Sequence, residues 1–255
     1  MTEERKIFKP YPFQEEGIQK TLQFKRCING DDMGTGKTMQ SLVAVERAHA
    51  TPCLVICPAS LKINWERETL KFTHLRPLIL TDSVKSTFPY FIGTMNLYDV
   101  VICNYESLKK YFVVSTSDPV KLKNTVFQNV IKQFKSVIID EAHRCKNPYS
   151  NQSKYVMGIC SGKEYVIELT GTPVVNDPKD LASQLAILGR MGDFGGYSEF
   201  LNEYGEGRNL NQLNRVLHEK WAQGGLSVAG GCRCLTKDGN TSIEKEGYIP
   251  YPLQA

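Results

Sequence analysis

A chain of 255 residues, 41% apolar and 23% charged, is long enough to bury a substantial core and has the balance of an ordinary globular domain. Its net charge of +4 neither demands a polyanionic partner nor excludes one. Met1 to Lys6 lacks an apolar signal core, and no run approaches the roughly eighteen apolar residues needed to cross a bilayer, so an intracellular, reducing compartment and no membrane partner are expected.

Short runs rich in Val and Ile alternate with stretches of helical period, the pattern of parallel strands joined by crossover helices in an α/β sheet. In chain order, the sequence predicts a helix over Phe13–Phe24, a strand over Arg26–Asn29, a helix over Lys37–Ala50 and a strand over Cys53–Cys57. A helix follows over Ser60–Phe72, then strands over Pro77–Leu80, Val100–Cys103 and Ser136–Asp140, a helix over Ser150–Cys160 and a strand over Tyr165–Leu169. Between Tyr111 and Lys123 the Ser115-Thr116-Ser117-Asp118-Pro119 text predicts a surface insertion, because Ser, Asp and Pro favour turns. Gly-rich stretches punctuate a helical region that ends near Lys220, and residues 221–255 show neither period. They are expected to form an irregular tail outside the sheet. The eight cysteines are scattered without CxxC pairing, several inside apolar runs, and are expected to be reduced and buried.

Asp31-Asp32-Met33-Gly34-Thr35-Gly36-Lys37-Thr38 follows a predicted strand and opens a predicted helix, the setting a phosphate-binding loop requires. Gly34 and Gly36 let successive amides converge on phosphate oxygens, Lys37 adds a cation at the β and γ phosphates, and the Thr38 hydroxyl suits magnesium. The strict pattern wants glycine where Asp31 stands. Far downstream, Val137-Ile138-Ile139 ends in Asp140-Glu141, and a buried strand delivers acids at its carboxyl end, where ligands of open sheets gather. Asp140 is the candidate magnesium carboxylate, and Glu141 the base for a water attacking the γ phosphate.

Five segments give the chain a resemblance to the Swi/Snf-like branch of superfamily-two helicases. Cys57 to Glu68 resembles the PxSLxxNWxxE segment that lies along the nucleic-acid backbone in relatives. Ser60 can cap its helix and Lys62 adds a cation, while packing through Leu61 and Trp65 accounts for the apolar positions. Asp140 to Asn147, reading DEAHRCKN, resembles the family's DEAHRxKN form of the DEAH box. Leu169 to Pro178 resembles LTGTPxxNxP, which links nucleotide state to lobe movement, and so marks Thr170, Gly171 and Thr172, with His143, as coupling residues. Tyr11 to Ile18 resembles the amino-terminal glutamine segment, making Gln14 the candidate reader of the adenine edge; a surface glutamine on an amphipathic helix reads the same way. Val101 to Glu106 resembles a segment in which Asn104 and Tyr105 touch nucleic acid.

The resemblance spans residues 7–220 and implies a first RecA-like lobe of the P-loop NTPase type, a mostly parallel sheet flanked by helices. It implies ATP and Mg2+ as ligands, duplex DNA as polymer partner, and ATP hydrolysis coupled to movement on DNA. Residues 1–220 are expected to form the ATP-binding lobe. The text after Lys220 shows no second lobe with its transition-state arginines, so weak turnover alone is expected, with a second lobe supplied in trans or lost. A nucleotide-gated binding module without turnover, an inert remnant, and an RNA helicase or restriction-type translocase lobe remain alternatives.

Overall fold

The computed structural model describes residues 7–171, 179–205 and Leu213. Its first half runs α1 (Pro12–Phe24), β1 (Arg26–Asn29), α2 (Lys37–Arg47), β2 (Cys53–Cys57), α3 (Lys62–Phe72), β3 (Pro77–Ile79), α4 (Phe88–Ile92) and β4 (Val100–Asn104). The remainder is α5 (Leu108–Phe112), β5 (Val113–Ser115), β6 (Val126–Phe127), β7 (Ser136–Asp140), α6 (Asn151–Cys160), β8 (Tyr165–Leu169), α7 (Lys179–Ile187) and α8 (Tyr197–Tyr204). Six strands form one sheet in the order β1-β8-β7-β2-β4-β3, every pairing parallel.

The unbroken apolar strands follow from cover on both faces. Leu54 and Ile56 of β2 look, with Val101, Val137, Ile139 and Val166, into a core closed by α5, α6, α7 and α8. Cys53, Val55 and Cys57 look the other way, with Ile102, Ile138 and Ile167, against Leu42 and Val45 of α2 and Trp65 of α3. Helix α1 lies outside α2, joined to it through Ile18, Met39, Val43 and Ala44. Among the buried strand residues the charged exception is Glu168 of β8: it is fully buried, burial holds its carboxyl well above the usual range, and neither oxygen has a hydrogen-bond partner.

All six sheet strands lie where the sequence expected them, with β3 ending one residue early and β4 one residue late. Helix α2 stops at Arg47 and not Ala50, because Ala48 closes it and His49 turns left-handed at φ 51°. Ser60 does not cap α3. It sits inside a 3-10 turn, Ala59–Leu61, whose Leu61 amide donates to the Pro58 carbonyl at 2.9 Å, so that Leu61 takes the cap position with no side-chain bond. The segment expected as a surface insertion, between Tyr111 and Lys123, contains β5, which pairs antiparallel with β6 just beyond it, and Phe127 of β6 lies so close to α6 that a Cβ at Gly158 would meet its ring at 2.3 Å. Helices α4 and α5 are five residues each, too short for a period to show. The tail at 221–255, including Cys232 and Cys234, lies outside the described residues.

Six described cysteines are free and buried; burial pushes the thiols of Cys27, Cys53, Cys57 and Cys145 up to about 12, which keeps them protonated and poor nucleophiles. Among the described residues no helix is long and apolar enough to cross a membrane. For function, the decisive feature is register: Asn29 of β1 pairs with Leu169 of β8, which pairs with Asp140 of β7. The last residues of three strands are therefore level, and at a spacing of about 4.8 Å per strand the loops after β1 and β7 depart about 10 Å apart.

Candidate nucleotide-binding site

The loop after β1 curls through two left-handed glycines, Gly34 at φ 81° and Gly36 at φ 82°, with Gly36 serving as the cap of α2. Any side chain at Gly36 would also collide with Gln14, whose Nε2 lies 2.5 Å from the position of a Cβ. Gln14 belongs to this site for a reason the sequence did not disclose: its Nε2 donates to the Thr35 carbonyl at 3.0 Å and its Oε1 accepts from the Tyr11 amide at 2.9 Å. One N–H and one lone pair of that amide are left for a base edge.

Beneath the loop lies a network that sequence reasoning missed. Gln40 of α2, fully buried, accepts from Asn29 Nδ2 at 3.1 Å and donates to Asp31 Oδ2 at 3.2 Å and the Thr35 carbonyl at 3.3 Å. Asn29 Oδ1 in turn accepts from the Asp31 amide at 3.1 Å. Asp31, standing where the strict loop pattern has glycine, thus turns its carboxylate into the support and not toward phosphate; burial raises its pKa, and the bond from Gln40 opposes that. The available signal was a polar residue on the buried face of a helix.

Lys37 donates to the Asp31 and Asp32 carbonyls at 2.6 and 2.9 Å. Burial pushes its ammonium down, while Asp31, Glu141, Asp140 and Asp32 all act to hold the charge. That four-carboxylate field is the physical sign that the loop after β1 and the acids after β7 share one space. Asp32 and Met33 are exposed, and Met33 lies against Gly171, whose Cβ position is 3.7 Å from Met33 Cγ. Thr38 follows Lys37 in the first turn of α2, partly buried.

Asp140 is held from both sides. Its Oδ2 accepts from Trp65 Nε1 at 2.8 Å, its Oδ1 from the Glu141 amide at 3.0 Å, and its carbonyl from the Tyr105 hydroxyl at 2.6 Å. Burial raises its pKa, the Trp65 bond opposing and Glu141 adding to the effect. Glu141 then turns left-handed at φ 52°, unusual for a residue with a side chain and a form of local strain that concentrates at functional turns. Its Oε2 lies 3.2 Å from His143 Nδ1, which is also 3.4 Å from Thr170 Oγ1. The turn is tied to the helices behind it: the Cys145 carbonyl accepts from Ser153 and Ser183, and the Arg144 carbonyl from Gln152.

On the β2–β4 side, Ser60 is exposed and Lys62 partly so. Asn104 Nδ2 donates to Glu106 at 2.9 Å, and Glu106 pairs with Arg144 at 2.8 Å. Tyr105 is corrected: only 2% exposed, with its hydroxyl spent on the Asp140 carbonyl and the Arg144 guanidinium 5.0 Å over its ring, it is a strut under the acids and cannot touch a polymer backbone here. Thr172 lies outside the described residues.

The family model described as SNF2-related domain matches residues 13–222. The chain belongs to the SNF2-related domain family. This SNF2-related domain is 30% identical over 227 residues to the DNA annealing helicase and endonuclease ZRANB3 of Bos taurus, a match covering 82% of the chain and 20% of that protein. It is 29% identical over 219 residues to the chromodomain-helicase-DNA-binding protein 7 of Gallus gallus, covering 80% of the chain and 7% of that protein. The Sulfolobus solfataricus SWI2/SNF2 ATPase core in complex with dsDNA superposes with a TM-score of 0.63 at 30% identity, over 84% of this chain and 45% of the other. The chain thus spans less than half of these relatives. Its mostly parallel sheet flanked by helices is the RecA-like lobe of that ATPase core, as the sequence led one to expect.

The SNF2-related domain has donors that fit magnesium and a nucleoside triphosphate. The Cβ position of Gly34 is open, with nothing within 4 Å, so a phosphate can approach the loop. A threonine hydroxyl and one carboxylate are the hard oxygen set that magnesium takes beside phosphate, and each Asp140 oxygen, having accepted one bond, retains a lone pair.

Proposed function

We propose that this SNF2-related domain binds Mg·ATP in the cleft between the β1 and β7 loops and hydrolyses it in response to duplex DNA, moving along the duplex when paired with a second lobe. The supporting observation is convergence: Lys37, at the start of α2, sits in the field of Asp140 and Glu141, which lie far along the chain at the end of β7. In this reading Lys37 leaves the Asp31 and Asp32 carbonyls for the β and γ phosphates, the loop amides from Asp32 to Thr38 cradle them, and Gln14 reads adenine. Thr38 and Asp140 hold magnesium, which supplies charge neutralisation at the phosphates. Glu141 orients the attacking water and takes its proton.

His143, Thr170 and Gly171 carry the nucleotide state outward, as the Glu141–His143–Thr170 contacts and the Met33–Gly171 approach suggest. Ser60, Lys62 and Asn104 meet the DNA backbone; the similar Sulfolobus solfataricus ATPase core is in complex with dsDNA, which favours duplex over RNA. Residues 1–220 are the working lobe, 221–255 having no assigned role, and the protein acts within the cell. Turnover needs a transition-state arginine from a second lobe, whether on the same polypeptide or another, and without it runs about three to five orders of magnitude slower.

The test is phosphate release by the chain with a second lobe of the family supplied, with and without duplex DNA, for wild type and Glu141→Gln. Duplex-stimulated release that falls by about a hundredfold or more in the variant is expected. Equal release by both proteins, or no Mg·ATP binding by the wild type, overturns the reading.

A further inference from the structure

Trp65 is the largest side chain of α3, 1% exposed, and its indole N–H ends on a charged acceptor, Asp140 Oδ2, at 2.8 Å. A buried indole N–H takes some acceptor in any case, but here the acceptor is a carboxylate of the candidate metal site, and bonds to charged groups are the stronger kind. Trp65 stands one helical turn from Lys62 and next to the exposed Asn64, and the exposed Ser60 lies in the 3-10 turn just before the helix. Lys62 opens α3 five residues after β2 ends at Cys57, so the helix starts from the carboxyl edge of β2, the level at which Asp140 closes the adjacent β7.

Past Trp65 the helix is tied further, Thr69 donating to the Trp65 carbonyl at 2.7 Å and Thr73 to the Thr69 carbonyl at 2.7 Å, while Lys62 and Trp65 share one continuous helix. Tyr105 grips the other side of Asp140 through the main-chain carbonyl and belongs to the segment that presents Asn104. Both expected polymer-facing segments thus end on the same aspartate.

We infer that Trp65 is a positioning residue through which duplex DNA on the opening of α3 sets the Asp140 carboxylate, so that DNA and Mg·nucleotide bind cooperatively. The inference rests on the function proposed above. A shift of the helix opening changes the indole-to-carboxylate bond and with it the direction of the lone pair left for magnesium. By linkage, the factor by which duplex tightens Mg·nucleotide equals the factor by which Mg·nucleotide tightens duplex.

The test titrates the chain with magnesium and a non-hydrolysable ATP analogue, with and without a saturating short duplex, for wild type and Trp65→Phe. Phenylalanine keeps an aromatic ring and removes the N–H. In the wild type the duplex tightens Mg·nucleotide about fivefold or more, and in the variant the factor drops to within about twofold of unity. A role in packing alone lowers the melting temperature and leaves that ratio untouched, so a variant with the wild-type factor overturns the inference. A wild type that binds both ligands with no mutual effect, or binds nucleotide but no duplex, also overturns it and leaves the nucleotide site standing. A wild type that binds no Mg·nucleotide removes the proposed function and this inference together.

If Trp65→Phe does not fold, the Trp221→Phe variant leaves Trp65 as the single tryptophan of the chain. Its emission should shift when duplex is added without nucleotide; an unchanged spectrum with duplex bound overturns the link.

Discussion

On the β1–β8–β7 side of the sheet edge, polar groups are satisfied by one another before any ligand arrives: Asn29, Gln40, Asp31, Thr35 and Gln14 form a closed set under the loop, and Lys37 is parked on two carbonyls. On the β2–β4 side, the side chains of Ser60, Lys62 and Asn64 make no hydrogen bond with any described residue and face solvent or its margin. The difference matches the targets proposed for each. A triphosphate and its metal have fixed geometry and reward a rigid cradle that need not reorganise. A polymer backbone is uniform along its length, and a translocating protein must release it repeatedly, which suits screened, adaptable contacts.

Breaking one side should leave the other intact. Lys37→Ala removes the only loop cation that can reach the phosphates, and calorimetry should show Mg·ATP affinity falling by about a hundredfold or more, since charged contacts of this kind carry about 3 kcal/mol. Duplex affinity without nucleotide should stay put; a parallel collapse of both would erase the division between the halves.

Next in size is the cradle itself. Gln40→Leu strands the Asn29 amide and the Asp31 carboxylate together, and thermal or denaturant unfolding should show a loss of about 2–4 kcal/mol. A loss below about 0.5 kcal/mol would mean that the buried set is ornamental. The smallest effect belongs to the exposed half: Lys62→Ala should weaken duplex binding a few-fold and lower the slope of log affinity against log salt by about one, with Mg·ATP affinity unchanged in the absence of DNA. An unchanged salt slope would take Lys62 off the backbone.

Much of this was legible in the sequence because the signals were local. Strands such as Cys53–Cys57 are apolar throughout, and the loop glycines and the acid pair fall at strand ends, so six strands and the residues of the loop could be placed without coordinates. What escaped were pairings between distant residues and reversals of side-chain direction. Nothing in the text says that Trp65 will meet Asp140, that Gln40 will underpin Asp31, or that Tyr105 will turn inward and not toward solvent. Ser60 was misread as a cap because Ser before a helical run has that local meaning, whereas a 3-10 turn shifted the helix start by two residues. Glu168 shows the converse limit: a carboxyl in mid-strand is expected at a surface by residue type, yet it alternates with Ile167 and Leu169 onto a sheet face that helices cover, and is fully buried.

The strand order has a consequence for manufacture. β1 and β2 are made early, but β7 and β8, which separate them in the sheet, are the last strands of the sheet to be made. The loop at Gly34 therefore leaves the ribosome with no wall beside it and must wait for residue 169, roughly seven to twenty-seven seconds at ordinary elongation rates. During that wait β1 and the β7-facing edge of β2 have no permanent partner for their backbone groups, so the interval when a chaperone matters most to this lobe is written into its topology.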